Sequence, residues 1–159
     1  SLLKLILNGI IKLGYGSASL FFLLEKENVA EGILSTTIPK EKINKVRISL
    51  GREKELVSET IKLKKTLFIK DITDPNKHFK LDKNLIPIFK GKSILSMPLI
   101  LGDKIKGVII IDNLQELTVK DRDLQILELF ATKAAITINN AELYSKLYKF
   151  NQERKVTKR

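Results

Sequence analysis

The sequence contains no cysteine and no tryptophan, and it has a single histidine. Without cysteine there can be no disulfide, no thiolate metal site and no chromophore attached through a thioether. A catalytic triad would depend on His78, and no serine lies in the glycine-flanked turn that exposes a nucleophile. The sequence therefore predicts a protein that is not an enzyme.

The sequence also lacks long apolar runs and an excess of acidic over basic residues. The apolar runs are too short to cross a bilayer and none has the order of a signal peptide, so we expect no membrane partner and a cytoplasmic location. The net charge is +11, but the lysines are scattered among glutamates and no basic patch is interleaved with aromatic residues. This distribution favours a solvated surface, with nucleic-acid binding as the less favoured alternative.

The apolar content is enough for one folded core, because 43% of the 159 residues are hydrophobic. We predict a single domain over residues 1–150. The chain opens inside an apolar helical pattern, so we expect its first helix to be the end of a longer one. Residues 151–159 lose the apolar pattern and are basic. We expect them to be a connector to an output domain outside this sequence.

Residues 93–113 carry the strongest strand signal, a predicted β-hairpin. Two apolar runs flank Gly102-Asp103, a pair suited to a two-residue II′ turn. Pro98 has no N–H for the ladder, so its strand should be kinked, bulged or at an edge there. The unbroken apolar run at residues 108–111 is typical of a central strand that is covered on both faces.

Periodicity predicts the remaining elements. The pattern indicates helices over residues 1–13, 40–46, 53–63 and 85–89, and extended segments over residues 17–25, 29–37, 48–51 and 66–70. Residues 71–92 are the least regular region, and a loop of this length in a compact domain is usually functional or mobile.

A long helix should follow the hairpin. Thr118 and Asp121 match a capping box, and no helix breaker occurs for more than thirty residues after them. The helix has two apolar stripes and so needs two covering surfaces. One stripe fits its own sheet; we expect the other, ending in Leu143, Leu147 and Phe150, to pair with a second copy in a homodimer through the terminal helices.

The order of these elements resembles the GAF domain family. The features that carry the likeness are the strand at residues 18–24, the TLFIKD element at 66–71, Met97-Pro98-Leu99, Gly107-Val108, the TVKD sequence at 118–121 and NNAELY at 139–144. The family implies an α+β fold in α/β/α layers: a six-stranded antiparallel sheet, long N- and C-terminal helices on one face, and small helices and loops over a pocket on the other. It also implies a sensory module of the kind found in bacterial histidine kinases and enhancer-binding transcription activators.

Family geometry places the pocket beneath residues 71–92, which we name the lid segment. The implied lining is polar and apolar in about equal parts and comes from the strands, the third helix and the lid segment: Ser19, Leu34, Ser35, Leu56, Val57, Thr60, Phe79, Asp82, Ser96 and Ile110. The ligand is open between an unidentified small polar metabolite and none at all, in a module that works by dimerisation.

Named ligands fit less well. Cyclic-nucleotide-binding members carry an NK…F…DE signature, whereas here Lys83 follows Asp82 where the glutamate should stand, and the spacing is too short. Where some members carry an acid on the strand after Gly-Val, this chain has Ile110. A histidine from the loop serves as a haem ligand in some members, and His78 is the candidate here, although the lysines beside it are typical of a surface loop.

Iron without haem is the other metal alternative. Asp71, Asp74, His78 and Asp82 offer the imidazole and carboxylate ligands that ferrous iron accepts. The competing interpretation is that the aspartates end a strand, form an Asx turn before Pro75 and face solvent. We favour that interpretation, and predict neither haem nor iron.

Overall fold

Six strands form one sheet with four α-helices around it in the computed structural model, which describes residues 1–157. In chain order the elements are α1 (Leu2–Lys12), β1 (Ser17–Leu24), β2 (Val29–Ser35), α2 (Lys40–Ile43), β3 (Arg47–Ser49), α3 (Leu56–Leu63), β4 (Leu67–Ile69), β5 (Ser93–Leu101), β6 (Lys104–Asn113) and α4 (Asp121–Thr157). A 3₁₀ turn at Glu25–Glu27 and a left-handed Asn28 join β1 to β2.

The sheet has the strand order β3-β2-β1-β6-β5-β4, and every neighbouring pair is antiparallel. One face packs against α1 and α4 and forms the helix-side core. The other face packs against α2, α3 and the lid segment and forms the lid-side core. The predicted α+β class, with long terminal helices on one face of a six-stranded sheet, is confirmed.

The β5–β6 hairpin forms as predicted. Leu101 pairs with Lys104 across a two-residue turn, and of the two turn residues only Gly102 has a positive φ, +66°. Pro98 causes no gap in the ladder, because β4 pairs only with Ile94, Leu95 and Ser96 and so ends before it. A register shift follows directly after Leu99.

The apolar run on β6 divides between the two cores, as strand alternation requires. Ile109 and Ile111 lie in the helix-side core, and Val108 and Ile110 lie in the lid-side core. The strand begins this run at Gly107, where a Cβ atom would collide with the carbonyl oxygen of Phe21 on β1. The two central strands, β1 and β6, therefore approach so closely here that only the hydrogen atom of a glycine fits between them.

Three local predictions are wrong. Residues 85–89 form turns rather than a helix, since Pro87 supplies no N–H for continuing one. Helix α3 begins at Leu56 instead of residue 53, because Lys54 has a left-handed φ of +67°. Helix α4 begins at Asp121 rather than just after Thr118; the preceding linker is still tied to the sheet at Leu117, whose N–H donates to Ser93 Oγ at 2.9 Å.

Helix α4 packs on the sheet only over its first half. Its sheet-facing side chains are mostly small, and the buried ones are Leu127, Ala131, Ala134, Ala135 and Ile138. Just beyond them, Lys106 Nζ lies 3.0 Å from Glu142 Oε2. The helix continues to Thr157 and so enters the predicted connector. Within residues 1–157, no helix has the length and apolar content needed to cross a bilayer.

Candidate functional site

The lid segment begins with two local turns that use Asp71 and Asp74, two of the four residues considered above, and disfavoured, as iron ligands. Asp71 Oδ1 accepts hydrogen bonds from the Thr73 N–H at 2.9 Å and the Thr73 hydroxyl at 2.6 Å, which lower the pKa of Asp71. Asp74 Oδ1 accepts from the Asn76 N–H at 2.9 Å. Both carboxylates therefore act as turn caps.

The other two disfavoured metal candidates, His78 and Asp82, lie apart from these turns. His78 is exposed, and its ring stands edge-on to Phe79 with 4.6 Å between ring centroids. Asp82 is buried against α3. In the described part of the chain, no three His, Cys, Asp or Glu side chains come together in a group that could hold a metal ion.

Backbone pairing fastens the lid segment to the start of α3. The Lys80 N–H donates to the Lys54 carbonyl at 2.7 Å, and the Leu56 N–H donates to the Lys80 carbonyl at 2.9 Å. Asp82 completes the attachment, because its Oδ1 accepts from the Val57 N–H at 3.1 Å. The residue in the N-cap position, Glu55, makes no side-chain cap bond, so Asp82 caps α3 from 25 residues away along the chain.

The Asp82 carboxylate is in an unfavourable environment for a charge. Its residue is 2% exposed, and Oδ2 is buried without a hydrogen-bond partner in residues 1–157. Burial raises the pKa of Asp82 to about 6; the Val57 N–H opposes this shift and the nearby Glu55 adds to it. A cavity of about 340 Å³ lies beside it, bordered by Arg52, Lys83 and Asn84.

Four of the predicted pocket residues form one row across the lid-side face of the sheet. Ser35 pairs with Ser19, Ser19 with Ile110, and Ile110 with Ser96. The Ser19 hydroxyl donates to Ser35 Oγ at 2.8 Å, and Ser35 Oγ also accepts the Ile38 N–H at 3.0 Å. These two hydroxyls are used within the fold, whereas Ser96 Oγ is buried with no partner in the described residues.

The predicted pocket residues of α3 and the lid segment lie on the same side of the sheet as this row, in or against the lid-side core. Leu56 and Val57 are fully buried in it, and Phe79 packs against it. Thr60 is buried too, but its hydroxyl donates to the Leu56 carbonyl at 2.8 Å. The lid side of the fold thus contains two buried polar atoms without a partner in the described residues, Ser96 Oγ and Asp82 Oδ2.

Leu34 is a correction to the predicted pocket. It packs against the helix-side core, opposite Leu20, on the far face of the sheet from Ser19 and Ser35. Successive side chains of a strand point to opposite faces, so Leu34 and Ser35 cannot both line one pocket. Leu34 is therefore excluded from any site beneath the lid segment.

The second apolar stripe of α4 is uncovered. Leu129 is 71% exposed and Leu143 is 54% exposed, and the remaining members Ile136, Leu147 and Phe150 are exposed as well. These positions, with Ile126, fall on the a and d sites of a heptad, in which Lys133 and Asn140 occupy two further a sites. A heptad seam on an exposed helix is the geometry of a coiled coil.

Comparison with known proteins identifies the protein family to which this sequence and fold correspond. A model of the GAF domain matches residues 1–139. The GAF domain of an Acinetobacter phosphoenolpyruvate-protein phosphotransferase is similar over 90% of this chain and 85% of its own, with a TM-score of 0.74 and 16% identity. The GAF domain of a two-component sensor histidine kinase from Bacillus halodurans is similar over 89% and 97%, with a TM-score of 0.67 and 23% identity.

The same fold also occurs in an enzyme. A type II free methionine-R-sulfoxide reductase from Thermoplasma acidophilum is similar over 87% of this chain and 92% of its own, with a TM-score of 0.63 and 14% identity. Among proteins of curated function, the sequence has no significant match.

Proposed function

This chain belongs to the GAF domain family of regulatory and sensory modules, and from that premise we propose that it is the small-molecule-sensing domain of a cytoplasmic bacterial protein that controls signal transduction or transcription, as in two-component systems. The observation that carries the proposal is that two buried polar atoms on the lid side have no partner in the described residues, Ser96 Oγ on β5 and Asp82 Oδ2 in the lid segment itself. Buried polar atoms normally have partners, so a bound small molecule is a natural source of them.

The lid segment is suited to respond to such a ligand. Its attachment to α3 consists of two backbone hydrogen bonds and the Asp82 cap. A ligand that bonds Asp82 would change the stability of this attachment. It can shift the domain between two states only if it binds them with different affinity.

The conformational change that a ligand causes would be transmitted through α4. Ser96 pairs with Ile110 on β6, and β6 leads through a short linker into α4. That helix extends beyond the sheet, and its side chains from position 141 to 154 are exposed. We propose a regulatory rather than a catalytic role. Because the methionine-R-sulfoxide reductase has a similar fold, enzymatic activity is the alternative to test.

Thermal-shift screening with a panel of metabolites and cyclic nucleotides tests the sensing role. We expect a specific compound to raise the melting temperature, because a ligand that binds only the folded state stabilises it. Ser96→Ala should weaken that rise, while Ser145→Ala, on the exposed part of α4, should leave it unchanged. A folded wild-type protein that no compound stabilises would contradict sensing and favour a ligand-free dimerisation module.

The exposed heptad of α4 supports dimerisation as a second candidate function. We predict that the chain is a dimer at tens of micromolar and that Leu143→Glu combined with Leu147→Glu makes it monomeric, since the change places four charges in an apolar seam. Sedimentation velocity measures the state. Ser145→Glu with Gln152→Glu adds the same charge at the f sites, away from the seam, and should remain dimeric. A monomeric wild-type protein would refute the prediction.

A further inference from the structure

A second cavity lies at the end of the sheet where β1 begins and β6 ends. Its volume is about 340 Å³, within the range of small-molecule sites. Ser17, Thr37 and Asp112 form its polar part, and Lys42 and Lys90 border it. The remaining walls include apolar side chains from the β2–α2 connection, the lid segment and the β6–α4 linker: Ile38, Ile88 and Leu114.

Asp112 gives this cavity its chemical character. The residue is 8% exposed, and its Oδ1 has no hydrogen-bond partner among residues 1–157. Burial raises the pKa of Asp112, and the Ser17 hydroxyl and the Gly91 N–H only partly oppose that shift. No ion pair joins Asp112 to a basic side chain in the described residues. The carboxylate therefore has no cationic partner, and one of its two oxygens, Oδ1, has no hydrogen-bond donor in the described residues.

Hydroxyl groups extend the polar surface from Asp112. Ser17 lies opposite Asp112 in the β1–β6 ladder, and its Oγ is 2.7 Å from Thr37 Oγ1. Each hydroxyl can donate or accept. A ligand that donates to Asp112 would thus find further acceptors beside it, which suits a group with several N–H bonds.

The outer part of the cavity has the opposite charge. Lys42 and Lys90 are exposed, and neither has an ion-pair partner in the described part of the chain. Long lysine side chains can reach an anionic group over several positions. The cavity thus offers a negative interior, apolar walls and a positive entrance.

We propose that this cavity binds a small zwitterionic amine, of which a free α-amino acid is the simplest example. The ammonium group would bond Asp112, the carboxylate would face Lys42 and Lys90, and the side chain would contact Ile88 and Leu114. The lining of this cavity shares no residue with the row of Ser35, Ser19, Ile110 and Ser96, although Ser17 and Asp112 are the next same-face pair along the β1–β6 ladder. It adds a ligand class to the sensing role proposed above, on which it rests.

The position of the site explains how such a ligand could act. Lys90 and Ile88 belong to the lid segment, and the Gly91 N–H interacts with Asp112 itself. Asp112 is near the end of β6, only a short linker before α4. A ligand here would connect the lid segment to the strand that leads into the output helix.

Isothermal titration calorimetry and thermal shift with the twenty free amino acids test the proposal. We expect at least one to bind and, at saturating concentration, to raise the melting temperature by about 4 °C or more. Its N-acetyl derivative, which lacks the ammonium, should not bind. Asp112→Asn should weaken binding about tenfold or more, because it removes a charged hydrogen-bond acceptor. Ser96→Ala should leave this affinity unchanged.

A second variant keeps the test independent of any folding defect in Asp112→Asn. Lys42→Ala with Lys90→Ala changes only exposed side chains and should weaken binding severalfold. Failure of every amino acid to bind would overturn this proposal but not the sensing role, which the metabolite panel tests separately. Binding that Ser96→Ala removes and Asp112→Asn spares would move the ligand beneath the lid segment and overturn the site.

Discussion

Gly107→Ala is expected to destabilise the domain by about 3 kcal/mol or more, a large part of the stability of a typical domain. A Cβ atom at this position would overlap the carbonyl oxygen of Phe21 on the neighbouring strand. The obstacle is backbone, so no side-chain rotation can relieve the overlap. The strands β1 and β6 would have to separate at the centre of the sheet, where both faces are buried.

Urea denaturation followed by circular dichroism measures this loss. Gly102→Ala is the matched control, because a Cβ there meets nothing within 4 Å. Its positive φ of +66° still makes alanine unfavourable, at a cost of roughly 1 kcal/mol. Equal losses for the two variants would show that the β1–β6 approach at Gly107 is not as close as described.

Asp82→Asn is expected to stabilise the protein at pH 7.5. The carboxyl has a pKa of about 6 in the folded protein, against about 3.9 in an unfolded chain. Between these values the folded state binds a proton that the unfolded state has lost, so the contribution of Asp82 to stability falls as the pH rises from 4 through 6. Above that window the buried charge costs about 3 kcal/mol relative to pH below 4.

Asparagine removes that cost and retains the cap, since its carbonyl oxygen can still accept from the Val57 N–H. The free energy of unfolding of the variant minus that of the wild type should therefore be small near pH 4. It should rise to about 2–3 kcal/mol by pH 7.5. The difference is the useful quantity, because Asp71, whose pKa is lowered, gives the opposite dependence in both proteins.

Denaturation curves at several pH values between 4 and 7.5 provide the measurement. Asp103→Asn, on the exposed hairpin turn, changes the same functional group and should show no comparable rise. A pH-independent difference for Asp82→Asn would mean that Asp82 is ionised as easily in the fold as in water.

Local patterns predicted most of the architecture from the sequence. The alternation and turn chemistry of the β5–β6 hairpin were sufficient to find both strands and the Gly102 turn, because each signal lies within a few residues. The two stripes of α4 were also sufficient to predict one packed and one exposed face. By contrast, the left-handed Lys54 that delays α3 has no residue signature.

The candidate sites were harder to predict, because they depend on contacts between distant residues. Asp82 caps a helix 25 residues away, and no local pattern marks that pairing. The error at Leu34 was avoidable, since alternation along a strand places Leu34 and Ser35 on opposite faces. Asp112 offered a signal as well: an acidic residue directly after a buried apolar run needs a partner or a ligand.

The ion pair between Lys106 and Glu142 joins α4 to β6 just beyond Ile138, the last buried hydrophobic residue of the helix that we describe. The helix beyond it, to Thr157, is about 22 Å long at 1.5 Å per residue. A tilt of roughly 5° about this point would displace the far end by about 2 Å, a step comparable with helix shifts in switching proteins. Glu142 is 48% exposed, so the pair is a weak contact. If the proposed sensing role is correct, a small rearrangement of the hairpin would therefore move the far end of the helix by a larger distance.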